Sequence, residues 1–250
     1  MPNPVARPNF RQVHSNTVAA PIAYEKPTLA RAWEAFAAHI PTLLVIWIAT
    51  AAIGGLGFGV KQLLTTIGNG GSMEGLGTAM DGASADLTLG FWLGQLGELP
   101  FWLLGNVVGV LSAAVPALYY ATGEKITVND AFGILFKRFW RYLLAGILLA
   151  LAAVVGFCFC ILPGVAVLLV TPVYVNKIFT TEMTILDAFG SSFQAVFRSE
   201  NGWTFVWIQI LTGLVVILVS VITCGLGLLF APAMGGFYVQ NAAYRQGVLT

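Results

Sequence analysis

Two histidines, three cysteines and a thin scatter of acids are all that this 250-residue chain offers for catalysis. His14 lies near the start and His39 stands beside Pro41; neither has a Cys, His or Glu partner at the spacing a metal ion needs. No H-E-x-x-H, G-x-S-x-G, Walker loop or dinucleotide fingerprint occurs, so the sequence offers no catalytic residue, no metal site and no cofactor. Cys158, Cys160 and Cys224 fall near the ends of apolar runs. They read either as small buried apolar residues or as a pair, Cys224 with Cys158 or Cys160, on an oxidising side. What remains is polar residues in apolar surroundings. Glu98, Asn106 and Gln209 form the candidate intramembrane site, with Thr50, Ser112 and Asn176 as further uncharged polar positions. Asn106 and Gln209 each fall about two turns into an apolar run, where an interhelical hydrogen bond explains them as well as a substrate does.

The surroundings follow from composition. Hydrophobic residues make up 58% of the chain and charged residues 9%, against roughly 25% charged in a soluble domain. A surface so poor in charge has lipid as its solvent. A net charge of +1 with no basic stripe excludes a nucleic-acid partner. Residues 1–27 hold Pro2, Pro4, Pro8, Pro21 and Pro27 and no apolar core segment, which reads as a mobile tail and not as a signal peptide.

About 20 apolar residues cross a bilayer. Residues 40–64, 100–121, 142–162, 165–179, 203–224 and 228–244 meet that need or approach it, giving six spans. Residues 87–97, set apart by Pro100, read as an interfacial helix with Trp92 at headgroup depth. Pro163-Gly164 turns the second pair of spans, and Gly225-Leu226-Gly227 the third. Kinks are expected at Pro172 and Pro232. With six spans, eleven of the twelve basic residues share one side and only Lys61 falls on the other. That bias puts both termini in the cytoplasm, on the side of an anionic inner leaflet. The outer side carries Glu74, Asp81, Asp86 and Glu98.

A repeat organises these spans. T-x-x-D-A-F-G occurs at Thr127–Gly133 and again, 57 residues later, at Thr184–Gly190. In each copy the threonine (Thr127, Thr184) suits an N-cap, and the aspartate (Asp130, Asp187) can reach back to complete a capping box. Val128, Phe132, Leu135, Phe136 and Phe139 then recur at helical spacing opposite Lys137, Arg138 and Arg141; Leu186, Phe189, Phe193, Val196 and Phe197 do the same in the second copy. A degenerate copy begins at Thr28, where Arg31 replaces the aspartate and Glu34 is left to supply negative charge. The expected fold is therefore an all-α polytopic transmembrane bundle. Three units, 28–122, 127–180 and 184–245, each hold an interfacial amphipathic helix followed by a hairpin, in a single membrane domain 28–250.

I-L-P-G at Ile161–Gly164, a proline eight residues on, and D-A-F-G-S-S-F opening the next helix resemble a family of uncharacterised small bacterial membrane proteins. These are similar to the membrane domain attached to some glycerophosphodiester phosphodiesterases. The resemblance covers roughly residues 100–245 and implies a six-helix membrane module without an assigned substrate. The metal-binding acids and paired histidines of the phosphodiesterase domain are absent from this sequence, so that activity is not carried over. Two functions fit. One is non-enzymatic membrane organisation, binding lipid or a partner membrane protein. The other is a transporter or permease for a small or lipid-like solute, favoured by repeats and kinked helices. Gly55/Gly59 and Gly105/Gly109 have the small-xxx-small spacing of close helix contacts, which would serve packing within the subunit or a homo-oligomer.

Overall fold

The computed structural model describes residues 19–69 and 89–249, all of them helix or connecting turn with no strand among them. His14, Arg7, Arg11, Glu74, Asp81, Asp86 and the start of the expected interfacial segment at Leu87 lie outside the described residues. The helices are α1 (Leu29–Gly68), α2 (Leu89–Gly109), α3 (Leu111–Thr122), α4 (Val128–Lys137), α5 (Phe139–Phe159), α6 (Ile161–Thr180), α7 (Ile185–Arg198), α8 (Gly202–Ile222) and α9 (Ala231–Arg245). Short 3-10 turns occupy Pro21–Tyr24 and Leu226–Leu229. Among the described residues five segments are long and apolar enough to cross a membrane: α1, α2 with α3, α5, α6 and α8.

Several boundaries differ from expectation, each for a local reason. α1 is one helix of 40 residues with Pro41 inside it, where a separate interfacial helix and span were expected. Proline removes one backbone bond, and nothing else around residue 41 stops a helix. Likewise Pro100 lies inside α2 and does not divide it; the helix is interrupted only at Val110, after Gly105 and Gly109. The second hairpin turns at Cys160, whose backbone is extended. Pro163 and Gly164 instead sit in the first turn of α6, where a missing N–H costs little. Pro232 also falls in the first turn of its helix, so α9 begins there and is not kinked by it. Gly225 does turn the chain, at φ 92°. Gly227 is buried, and a side chain there would meet the Ser220 backbone at 2.9 Å. The expected tail ends earlier than Pro27: residues 21–24 are helical, Ala23 is fully buried, and the Asn241 side-chain amide donates to the carbonyls of Ala23 (2.8 Å) and Glu25 (3.2 Å).

The chain divides into two compact units. Residues 44–111 form one, and residues up to Leu43 with those from Ser112 form the other. In the 44–111 unit, α1 and α2 run antiparallel with glycine at the seam. Gly57 lies against Phe101, Gly68 against Gly90, Gly97 against Leu64, and Gly109 against Thr50. A Cβ at Gly90 would stand 2.6 Å from the Thr65 carbonyl oxygen. Gly55 and Gly59 have nothing within 4 Å of that position, so only Gly105 and Gly109 of the two spaced pairs contact a helix of this unit.

The larger unit holds two hairpins. Arg138 pairs bidentately with Glu182 and joins the start of α5 to the end of α6. Tyr142 stacks on Phe179 with ring centroids 4.2 Å apart. The far ends meet where Gly156 faces the Gly164 backbone. The start of α8 meets the end of α9 through Asn201, whose amide reaches the Gln246 carbonyl at 3.4 Å. α4 is capped by a complete box: Asp130 N–H donates to Thr127 Oγ1 and Thr127 N–H donates to Asp130 Oδ2. At α7 the Thr184 hydroxyl accepts from Asp187 N–H and donates to Asp187 Oδ2. Thr28 keeps the same forward cap on α1, accepting from Arg31 N–H, while the Arg31 guanidinium turns back to Glu25 at 2.8 Å. The buried stripe of α7 is Ala188, Ser192 and Val196, and a ladder of Phe189, Phe193 and Phe197 runs beside it.

Candidate functional site

Polar side chains buried in apolar helices must find partners, so each marks either a structural knot or a site. In the larger unit one such knot joins α6 to α9. Asn176 Nδ2 donates to Gln240 Oε1 and to Tyr244 Oη, both at 3.1 Å, and Asn176 Oδ1 accepts from Thr180 Oγ1 at 3.2 Å. Gln240 Nε2 in turn donates to the Pro172 carbonyl at 2.8 Å. Gln240 and Tyr244 are four residues apart on α9 and so share a face. Asn176, Gln240 and Asn241 are all buried.

Above that knot is a cavity of about 400 Å³, whose polar wall is Asn176, Lys177, Thr180, Thr181 and Tyr244. Lys177 donates to Ser191 Oγ of α7 at 3.1 Å. Arg141 donates through Nη2 to the Thr181 carbonyl at 3.0 Å, while its Nε is buried without an acceptor. Outside the spanning segments, Arg138 is held charged, its pKa raised chiefly by its hydrogen bonds to Glu182.

A second cavity of about 400 Å³ is almost wholly apolar and runs between α8 and α9. Ile208, Leu211, Val215 and Val219 form one wall, and Phe230, Met234 and Tyr238 the other. Gly235 lets the helices approach, since a Cβ there would stand 3.2 Å from Thr212 Cγ2. Leu211 and Val215 are about half exposed, so the groove opens outward.

The residues singled out from sequence are placed as follows. Glu98 pairs with Lys61 at 2.7 Å, and Asn106 Nδ2 donates to the Trp102 carbonyl at 2.7 Å, both in the 44–111 unit. Gln209 belongs to the larger unit and donates to the Leu169 carbonyl at 2.9 Å. That bond joins α8 to α6. Neither Asn106 nor Gln209 lines the two cavities above or a third, smaller one bounded by Glu25, Arg31 and Tyr119.

His39 is fully buried: its Nδ1 lies 2.7 Å from the Ala35 carbonyl and its Nε2 3.0 Å from Ile126 N–H. The carbonyl can only accept and the amide can only donate. The ring is therefore the neutral Nδ1–H tautomer, and it ties α1 to the segment before α4. Cys158, Cys160 and Cys224 are all exposed and none is disulfide-bonded, so they are neither the expected buried filler nor the expected pair. Among the described residues no cluster of three His, Cys, Asp or Glu could hold a metal.

Sequence singled out Asn176 but missed Gln240, Asn241 and Tyr244. The signal available was the i, i+4 spacing of Gln240 and Tyr244 in an otherwise apolar run. Compared with known proteins, the chain matches no protein-family model, no curated protein and no solved structure.

Proposed function

We propose that this chain is a non-enzymatic membrane protein that binds lipid and organises the bilayer around it. The observation that carries this reading is the apolar groove between α8 and α9. From Ile208 to Val219 it follows eleven helical steps, about 16 Å. One leaflet of a hydrocarbon core about 30 Å thick has nearly that depth. The groove therefore matches one acyl chain in length, chemistry and outward access.

In this reading the chain crosses an inner membrane six times as three hairpins, with both termini cytoplasmic. No charged residue occurs between Arg141 and Lys177 or between Glu200 and Arg245, so each uncharged run leaves from charge and returns to charge. The contacts Arg138–Glu182 and Asn201–Gln246 support that return for the second and third hairpins. α9 has only 15 residues, but with the 3-10 turn before it the ascent is about 30 Å. The resemblance to the membrane domain of glycerophosphodiester phosphodiesterases fits this six-helix module. Transport would need Asn106 or Gln209 on a polar passage. Each amide instead bonds a main-chain carbonyl, which supports binding over passage.

The test is native mass spectrometry of the chain purified in mild detergent. The wild type is expected to retain phospholipid, and Val215→Trp, which fills the groove, to retain measurably less. Equal lipid retention by a folded Val215→Trp variant would overturn the reading. A periplasm-only reporter fused after Lys125 or after Leu249 is expected to stay silent; activity at either point would remove the six-span arrangement.

A further inference from the structure

We propose that the cavity above the α6–α9 knot is a binding site for a phosphate-bearing anion, seated against the Lys177 ammonium. Three observations converge on it. First, Lys177 is half-buried in the cavity wall and makes one side-chain hydrogen bond, to Ser191. An ammonium has three donors, so two remain for a ligand. No carboxylate pairs with it among the described residues, whose ion pairs join Arg31 to Glu25, Lys61 to Glu98 and Arg138 to Glu182. Second, Arg141 donates to the carbonyl of Thr181, a residue of the cavity wall, and its Nε is buried with no acceptor. Third, among the described residues no acidic one lines the cavity, while Thr180, Thr181 and Tyr244 add hydroxyl groups.

An ammonium drawn partly out of water without a paired carboxylate is costly, and an anion seated beside Lys177 removes that cost. The α6 dipole accounts for a lysine in the last helical turn. It does not account for the open volume beside it or for the orphaned Arg141 donor. A volume near 400 Å³ lies within the range of small-ligand sites, roughly 300–1,000 Å³. A phosphate offers several acceptor oxygens and a charge that an ammonium and hydroxyls can share. The group can belong to an anionic lipid headgroup or to a small phosphate ester. This site requires neither the acyl-chain groove nor a particular number of spans, so Val215→Trp leaves it unchanged.

The test measures lysine acetylation by mass spectrometry on the full chain in maltoside micelles, comparing Lys177 with exposed Lys137. One arm adds inorganic phosphate and the other dopes the micelles with phosphatidylglycerol. Protection of Lys177 several-fold beyond Lys137 is expected in at least one arm. Protection by inorganic phosphate assigns a soluble phosphate, and protection by phosphatidylglycerol alone assigns a lipid headgroup. Binding measured by titration with the protecting ligand is expected to weaken roughly tenfold or more in Lys177→Gln and to recover in Lys177→Arg. Unchanged Lys177 reactivity in both arms would overturn the proposal, and so would full-strength binding by Lys177→Gln. The protection measurement uses the wild-type chain, so it stands even if a variant fails to fold.

Discussion

The two units solve one problem in different ways. Inside a bilayer the hydrophobic effect does not drive helices together, so contact must come from close approach or from polar bonds. The 44–111 unit uses close approach: Gly57, Gly68, Gly90, Gly94 and Gly97 remove side chains along the α1–α2 seam. The unit formed by residues up to Leu43 and from Ser112 uses polar knots: His39 with Ile126, Thr42 with Ile126, and Asn176 with Gln240 and Tyr244. Glycine seams tolerate no added volume, whereas polar knots tolerate no lost partner. The α1–α2 seam and the polar knots should therefore fail to opposite kinds of substitution, although the larger unit has glycine contacts of its own at Gly156 and Gly235.

The largest effect is expected at the glycine seam. Gly90→Val would place atoms against the Thr65 carbonyl and the Asn69 side chain, both already closer than a Cβ permits. Overpacking of this kind costs about 1–3 kcal/mol where neighbours can move, and more against backbone. Thermal unfolding in detergent should show a large drop, with protease cleavage appearing between α1 and α2. A wild-type melting curve would refute the seam. His39→Leu comes next. It keeps the volume but strands the buried Ile126 N–H, at a cost of about 1–3 kcal/mol. Asn176→Leu should cost a similar or slightly smaller amount, because Tyr244 and Gln240 each lose a partner. If either apolar variant melts as the wild type does, the polar knots are not what holds the larger unit together.

How much of this was legible in sequence depends on whether the determining interaction is local. The caps at Thr127 and Thr184 were legible because an N-cap bond reaches only three residues. The apolar helices were legible from composition. The continuity of α1 through Pro41 was not, because a proline's effect depends on what stabilises the helix on either side. The turn at Cys160 was placed three residues late for a related reason: Pro163-Gly164 carries turn chemistry, but the same residues fit the first turn of a helix. Glu98, Asn106 and Gln209 were identifiable as polar outliers, yet the partners that explain them are set by packing. Gln240 and Asn241 were missed because their partners, on α6 and near Ala23, are dozens to hundreds of residues away.

The caps allow a smaller test between the two copies of the repeat. Asp130 returns a bond to the Thr127 N–H and so completes its box, while Asp187 is bonded by the Thr184 hydroxyl and amide-caps in one direction. Thr127→Ala and Thr184→Ala should each cost about 1 kcal/mol, toward the lower end because both caps are exposed. Asp130→Ala should then destabilise more than Asp187→Ala. The order is read from melting temperatures of the two variants in the same detergent. The reverse order would mean that the second copy carries the tighter cap.

The smallest effect is expected at Gly55 and Gly59. They share the spacing of the seam glycines and lie on the same helix, but their Cβ positions are open where Gly57 between them is closed. Gly59→Leu should therefore leave the monomer's melting temperature unchanged or slightly raised, since glycine in a helix interior costs roughly 0.5–1 kcal/mol relative to alanine. Gly57→Leu, which would press on Phe101, should lower it clearly. The pair separates two meanings of one motif. A stable Gly59→Leu with an unchanged size on gel filtration makes the outer glycines bare lipid-facing positions. A stable Gly59→Leu that shifts from a larger species to a smaller one makes them the contact between two copies, a face that small residues leave open within the chain and fill only in the assembly.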